Sequence, residues 1–313
     1  TQRNALKQPW MHSTMTYLLL AVLRRVAVKK KKKIAHSKNI QIEQAIATNY
    51  IVASALTWFM LHPALDTIKT NQNSIALFTA LGVLLPVVFV FMSRAVRYAG
   101  IVKSDAAQRL ALFIPILASF TIFGEVLTQT RMIGLALAFA ALFCLVYKSN
   151  SNRAHGNQRN QRAQGTTTQL ITSLLAVWIG YGVIDVLFKQ VAKSGSATPA
   201  NLFAAFVLAG VLIFVYLLIR GTRWRASSLL AGLLLGALNF ANIWFYIRAH
   251  QSFSDNPTLV FAGMNIGVIT LGTLVGAFAF REKISRVNFI GVALAIAAIL
   301  CLFYSAYFMG LLN

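Results

Sequence analysis

Acidic residues are nearly missing: Asp and Glu number seven in 313 residues, against 29 Lys and Arg. A catalytic centre of convergent carboxylates, or a carboxylate-rich cation site, therefore has little to draw on. The two cysteines, Cys144 and Cys301, lie inside apolar runs without metal or disulfide spacing, and read as small packing residues. Five histidines, at 12, 36, 62, 155 and 250, form no ligand pattern. There is no Walker loop, nucleophile elbow or zinc motif, which argues against ATP-driven pumping and hydrolysis. The expectation is a chain that is not an enzyme, with no cofactor, metal or catalytic residue.

What the chain has in excess is hydrocarbon. It is 58% hydrophobic and 12% charged, with mean hydropathy +0.66, where soluble domains are about 25% charged. Most apolar runs are about 17 to 24 residues long, the length of a helix crossing a bilayer. A transmembrane barrel would alternate in segments of about ten residues, and no such pattern is present. A charge of +22 would suggest nucleic acid in a soluble protein. Here the basic residues sit in connectors, where they anchor and orient spans, and no nucleic-acid partner is expected. The bilayer itself is the partner.

Residues 1–14 form a polar N-terminal tail. The run that follows, MTYLLLAVL at 15–23, breaks into Arg24-Arg25 and the basic stretch to Lys33. Nine apolar residues do not cross a bilayer, and each charge near its centre costs about 2.5 to 3.5 kcal/mol. The first helix is thus atypical: an altered segment, or a degenerate helix at the interface. Further spans are expected at 44–61, 75–92, 106–123 and 132–147. A polar linker, 148–168, precedes spans at 171–192, 201–219, 229–247, 258–280 and 289–308.

The two blocks, 15–147 and 169–313, repeat one another. FGEVLTQTRMIGLALAFAALFCLVY at 123–147 is matched by FREKISRVNFIGVALAIAAILCLFY at 280–304, and Glu125 with Gly134 corresponds to Glu282 with Gly291. FMSRA at 91–95 is matched by FYIRA at 245–249. Five spans per block place the second upside down relative to the first. The expected architecture is all-α and polytopic, ten transmembrane helices in a 5+5 inverted repeat, which in transporters puts the substrate site between the repeats.

This paired pattern of Glu, a Gly nine residues on and an Ala-rich closing helix resembles the EamA-like ten-helix family of the drug/metabolite transporter superfamily, from about residue 41 onward. The resemblance implies a multi-pass protein of a bacterial inner membrane. It also implies alternating access, often export, of a small polar or amphipathic metabolite, with proton or exchange coupling. The first helix departs from that pattern.

Polar residues inside spans are expensive and point to function. Trp178, Tyr181 and Asp185 share one helix face at i, i+3, i+7. Asp185 suits a substrate amine or a coupling proton with Lys189 tuning it; alternatively the two form a structural pair, Lys189 reaching for headgroups. Asn239, Asn242 and Tyr246 have the same spacing, opposite apolar Leu85, Val88 and Met92 in the first repeat. They suit hydrogen bonds to a solute or between helices. Arg109 suits a substrate anion or a surface pair with Asp105; Asn49, Tyr50 and Asn265 complete the substrate-binding candidates.

Glu125 and Glu282 would lie on opposite membrane faces, which excludes joint acid/base work and favours capping or bracing of the next turn. Gly263, Gly267, Gly272 and Gly276 suit close helix contact, and Pro115, aligned with Gly272, suits a hinge or a static kink. Connectors after spans three, five, seven and nine hold fourteen basic residues and those after spans two, four, six and eight five. By the positive-inside rule the termini are external, whereas the resemblance puts them inside. Two other classes stay open: a membrane-embedded enzyme on a lipid-linked substrate, and a non-transporting scaffold or homodimer partner.

Overall fold

The computed structural model describes residues 42–70, 72–153, 166–280 and 285–312. The N-terminal tail, the 24–33 basic stretch, most of the polar linker and Glu282 lie outside them. The described residues form helices and no strand: α1 (Ile42–Leu61), α2 (Asp66–Thr70), α3 (Gln72–Ala99), α4 (Ile101–Leu110), α5 (Phe113–Thr121), α6 (Gln129–Arg153), α7 (Thr167–Lys193), α8 (Thr198–Ile219), α9 (Ala226–Ser252), α10 (Pro257–Phe280) and α11 (Arg286–Leu312). Among the described residues, five helices are long and apolar enough to cross a membrane: Asn73–Ala99, Thr167–Lys193, Gly195–Ile219, Ala226–Ser252 and Arg286–Tyr307. Apolar stretches in α6 and α10, Gln129–Leu145 and Pro257–Leu271, are shorter. This is the makeup of a multi-pass membrane protein.

Helix ends follow local chemistry. His62, at φ 46°, and Pro63 stop α1. Prolines open α8 and α10, where the missing N–H costs nothing. Gly221, at φ 60°, closes α8: Thr222 N–H donates to Leu217 O at 3.3 Å and Gly221 N–H to Leu218 O at 3.1 Å, a Schellman pair.

One predicted feature needs correction. The span expected at 106–123 is interrupted at Ala111 and Leu112, dividing α4 from α5. Pro115 has no N–H to offer Ala111 O, and Ile114 N–H turns to that carbonyl at 3.1 Å. Leu110 O thereby loses its helical donor. Helix α6 runs on to Arg153, into the first residues of the polar linker.

The chain divides into two compact units, each drawing on both sequence blocks. The first comprises Arg94–Val186 with Ala249–Asn313, and the second the described residues up to Ser93 with Leu187–Arg248. The divisions fall inside α3, α7 and α9.

In the first unit α6 and α11 lie antiparallel and in close contact. A Cβ on Gly134 would lie 2.8 Å from Leu302 Cδ2, and one on Gly291 2.8 Å from Leu145 Cγ. Between them Ala138, Ala141, Ala295 and Ala298 are fully buried. These residues are sequence-equivalent in pairs, so each helix presents the same surface to the other.

In the second unit α1 and α8 pack antiparallel, with Tyr50 against Phe206 at 6.4 Å between ring centroids and Trp58 against Phe203 at 5.2 Å. Two glycine crossings flank this pair. A Cβ on Gly236 of α9 would lie 2.8 Å from Asn49 O and 2.6 Å from Val52 Cβ. One on Gly82 of α3 would lie 3.0 Å from Ala205 O and 2.9 Å from Leu208 Cβ. Gly82 precedes Leu85 by three residues and Gly236 precedes Asn239 by three, the positions that the sequence repeat aligns. The two crossings are therefore counterparts. They pair Asn49 with Ala205 and, one residue on, Tyr50 with Phe206.

Candidate functional site

The tight crossing of α1 and α9 gathers polar residues in the second unit. Gly232 as well as Gly236 admits α1: a Cβ on Gly232 would lie 2.6 Å from Ala45 O. Contacts rising together along both helices make the crossing parallel. Asn239 and Asn242 follow Gly236 by three and six residues, about 4.5 and 9 Å along the axis. Asn49 is fully buried, and neither polar atom of its amide has a hydrogen-bond partner among the described residues. Asn239 Nδ2 and Asn242 Oδ1 are in the same condition, with Asn242 buried and Asn239 half-buried. Each such group costs about 1–3 kcal/mol when left unsatisfied. Tyr50, fully buried, stands between Phe89 and Phe206, and Tyr246 meets Phe188 edge-on at 6.1 Å.

Lys189 belongs to this unit and is 1% exposed. This corrects the expectation that it reaches for headgroups. A lysine within an apolar helix that stays inside the protein is a stronger functional candidate than its position near a helix end suggested.

In the first unit Trp178, half-buried, donates its indole N–H to Leu110 O at 2.9 Å. That is the carbonyl released by the interruption before Pro115, so Trp178 braces the break. One turn on, Tyr181 lies in the electrostatic field of both Asp185, on its own helix, and Asp105 of α4. Arg109 pairs with Asp105, Nη2 to Oδ1 at 3.1 Å. The pair is not a surface one throughout: Arg109 is 6% exposed and its carboxylate partner is the more open end. Asn265, half-buried on α10, has no hydrogen bond to these residues among the described ones. The structure thus places Trp178, Tyr181, Asp185, Arg109 and Asn265 in one unit, and Asn49, Tyr50, Asn239, Asn242 and Tyr246 in the other.

Glu125 has a defined structural task. Gly124, at φ 68°, turns the chain after α5, and Glu125 N–H returns to Ser119 O at 2.9 Å. Its Oε2 then accepts from Thr258 N–H at 2.9 Å and from the Thr258 hydroxyl, capping the first turn of α10. Its Oε1 lies 3.2 Å from Arg131 Nε, with both side chains buried. Arg131, expected in a connector, is in the first turn of α6 and also donates to Val126 O and Asn256 Oδ1. The carboxylate therefore caps a helix 132 residues downstream while bracing, through Arg131, the first turn of the helix that follows it.

Of the four α10 glycines in the small-residue spacing, Gly263 is not at a close crossing. A Cβ on Gly263 would meet nothing within 4 Å. The GLLLG string at 232–236 is the readable signal for the real crossing. Lys189 was marked only by its place one turn beyond Asp185, near a helix end, and no local pattern marks the Glu125 to Thr258 contact. Among the described residues no group of His, Cys, Asp and Glu suits a metal. A surface groove of about 460 Å³ between α1 and α8 is apolar, and of the polar candidates Tyr50 lines it.

No family model matches the chain. It is 52% identical over 296 residues to an uncharacterized protein of Haemophilus influenzae, covering 93% of this chain and 98% of that relative. A crystal structure of a protein with 16% sequence identity matches with a TM-score of 0.63, over 94% of this chain and 95% of that one. At that identity what is shared is the fold.

Proposed function

The chain belongs to the same family as the uncharacterized Haemophilus influenzae protein, and we propose that it is a secondary transporter of small polar or amphipathic metabolites. It works in the inner membrane by alternating access, in the direction of export, as the resemblance to EamA-like drug/metabolite transporters implies. The architecture is ten transmembrane helices in a 5+5 inverted repeat. Two sets of counterpart contacts support the repeat: Gly134 with Leu302 against Gly291 with Leu145, and Gly82 with Ala205 against Gly236 with Asn49.

The observation that carries the transport reading is a set of buried amide atoms without protein partners among the described residues: both of Asn49, Nδ2 of Asn239 and Oδ1 of Asn242. Locking helices together would satisfy these groups with one another. A site that hydrogen-bonds a passing solute must instead keep donors and acceptors open inside an apolar body. Coupling by proton or exchange falls to Asp185, whose neighbours include Tyr181.

Counterflow of labelled metabolites into proteoliposomes of the purified chain tests this. An accepted solute accumulates with the unaltered chain, and Asn242→Ala and Asp185→Asn reduce its uptake at least about tenfold, the scale of one buried hydrogen bond to a charged or polar group. Unchanged uptake of every accepted solute in both variants overturns the assignment of these residues.

A further inference from the structure

The second unit also carries a surface that the transport reading does not use. After α8 the chain runs through Arg220, Gly221, Thr222, Arg223, Trp224 and Arg225 before α9. Three exposed arginines within six residues would ordinarily sample many positions. These are held. The Gln44 side chain, itself fully buried, donates Nε2 to Arg223 O at 2.7 Å and accepts Arg225 N–H on Oε1 at 3.0 Å. Thr222 Oγ1 donates to Leu217 O at 3.2 Å, and Trp224 stacks on Phe214 at 5.6 Å. Arg220 donates to the Tyr216 hydroxyl at 2.9 Å and meets Glu43 at 3.6 Å. Among the described residues no other acid lies within ion-pair distance of the three.

The apolar groove between α1 and α8 ends at this loop. Its walls include Tyr50, Phe206, Gly210, Val211, Phe214 and Leu218, and Phe214 is the ring that supports Trp224. From Phe206 to Leu218 the helix rises about 18 Å, close to one leaflet of a hydrocarbon core of about 30 Å. An indole and guanidinium groups at the end of such a groove match the boundary between acyl chains and headgroups.

We propose that this groove and loop bind one anionic glycerophospholipid of the bilayer, of the phosphatidylglycerol type. An acyl chain lies in the groove, and the phosphodiester accepts hydrogen bonds from Arg223 and Arg225. Charge complementarity selects this occupant. A neutral acyl chain alone has no use for arginines on a backbone held at the end of its groove, and arginine pairs with phosphate oxygens through two parallel N–H bonds.

Lipid retention by the full chain provides the test. The protein is reconstituted in nanodiscs of phosphatidylcholine alone, or of equal parts phosphatidylcholine and phosphatidylglycerol, then released into detergent for native mass spectrometry. The unaltered chain is expected to retain phosphatidylglycerol in preference, and to lose that preference as salt rises. Arg223→Gln with Arg225→Gln weakens it about fivefold per arginine, and the corresponding Lys variants keep most of it. Gly210→Leu provides an arm remote from the charges. A Cβ there meets only Tyr50 Cβ, at 3.4 Å, so the added side chain enters the groove, and retention of both lipids falls. Equal retention of the two lipids by the unaltered chain overturns the proposal. So does an undiminished preference in the double Gln variant, undiminished retention in Gly210→Leu, or salt-sensitive capture of an acidic protein in place of lipid.

Discussion

Leu302 fills the space that a side chain on Gly134 would need, its Cδ2 lying 2.8 Å from that position, and Leu145 does the same to Gly291. Each glycine is thereby matched to a leucine on the opposite helix. Gly134→Ala gains helix propensity of about 1 kcal/mol but forces Leu302 to move, and overpacking costs about 1–3 kcal/mol. The expected net effect is a lower melting temperature in detergent. Adding Leu302→Ala to Gly134→Ala should cost less than the sum of the single changes. Additive losses would mean that the two residues are not coupled.

The Glu125 and Arg131 pair is buried and holds the start of α10. Removing one partner leaves the other charge uncompensated, at about 3–5 kcal/mol. Glu125→Ala is therefore expected to destabilise strongly, and Glu125→Gln less, since its amide oxygen still accepts from Thr258 N–H. Thermal unfolding of both variants, with Arg131→Met in each background, measures the coupling. Equal losses for Gln and Ala would remove the capping role.

Trp178→Phe withdraws the donor from Leu110 O. The expected loss is about 1–3 kcal/mol for a carbonyl left without its partner. Hydrogen exchange should rise first at residues 110–114, where the helix is already interrupted. Faster exchange spread evenly over α7 would point to lost packing instead.

Asn49→Leu separates stability from transport. It removes an amide with no protein partner among the described residues, so stability should rise by about 1–2 kcal/mol while counterflow falls. A destabilised variant with normal counterflow would make Asn49 a structural residue.

Hydropathy and the internal repeat were enough to place most helices, because burying backbone in lipid demands long apolar stretches. The same measures passed over the break at Ala111 and Leu112, since windowed hydropathy is insensitive to a carbonyl that changes its partner. Pro115 carried that signal, read as a kink or hinge without its location. The polar stripes of α7 and α9 were visible from spacing alone. Their division between two compact units was not, as it depends on contacts between distant parts of the chain. Glu125 illustrates the limit: its capping role was inferred from its place in a connector, but its partner, Thr258, is set by tertiary folding.

The α1 and α8 pair is fastened at both ends, by Gln44 to the loop at 223–225 and by Trp58 to Phe203, with Tyr50 against Phe206 between them. Sliding one helix along the other would break two hydrogen bonds and separate two ring contacts at once. Mechanically the pair is a strut, not a sliding bearing. Any working motion of the second unit should therefore carry α1 and α8 together as one rigid lever, with the flexing left to α3 and α9.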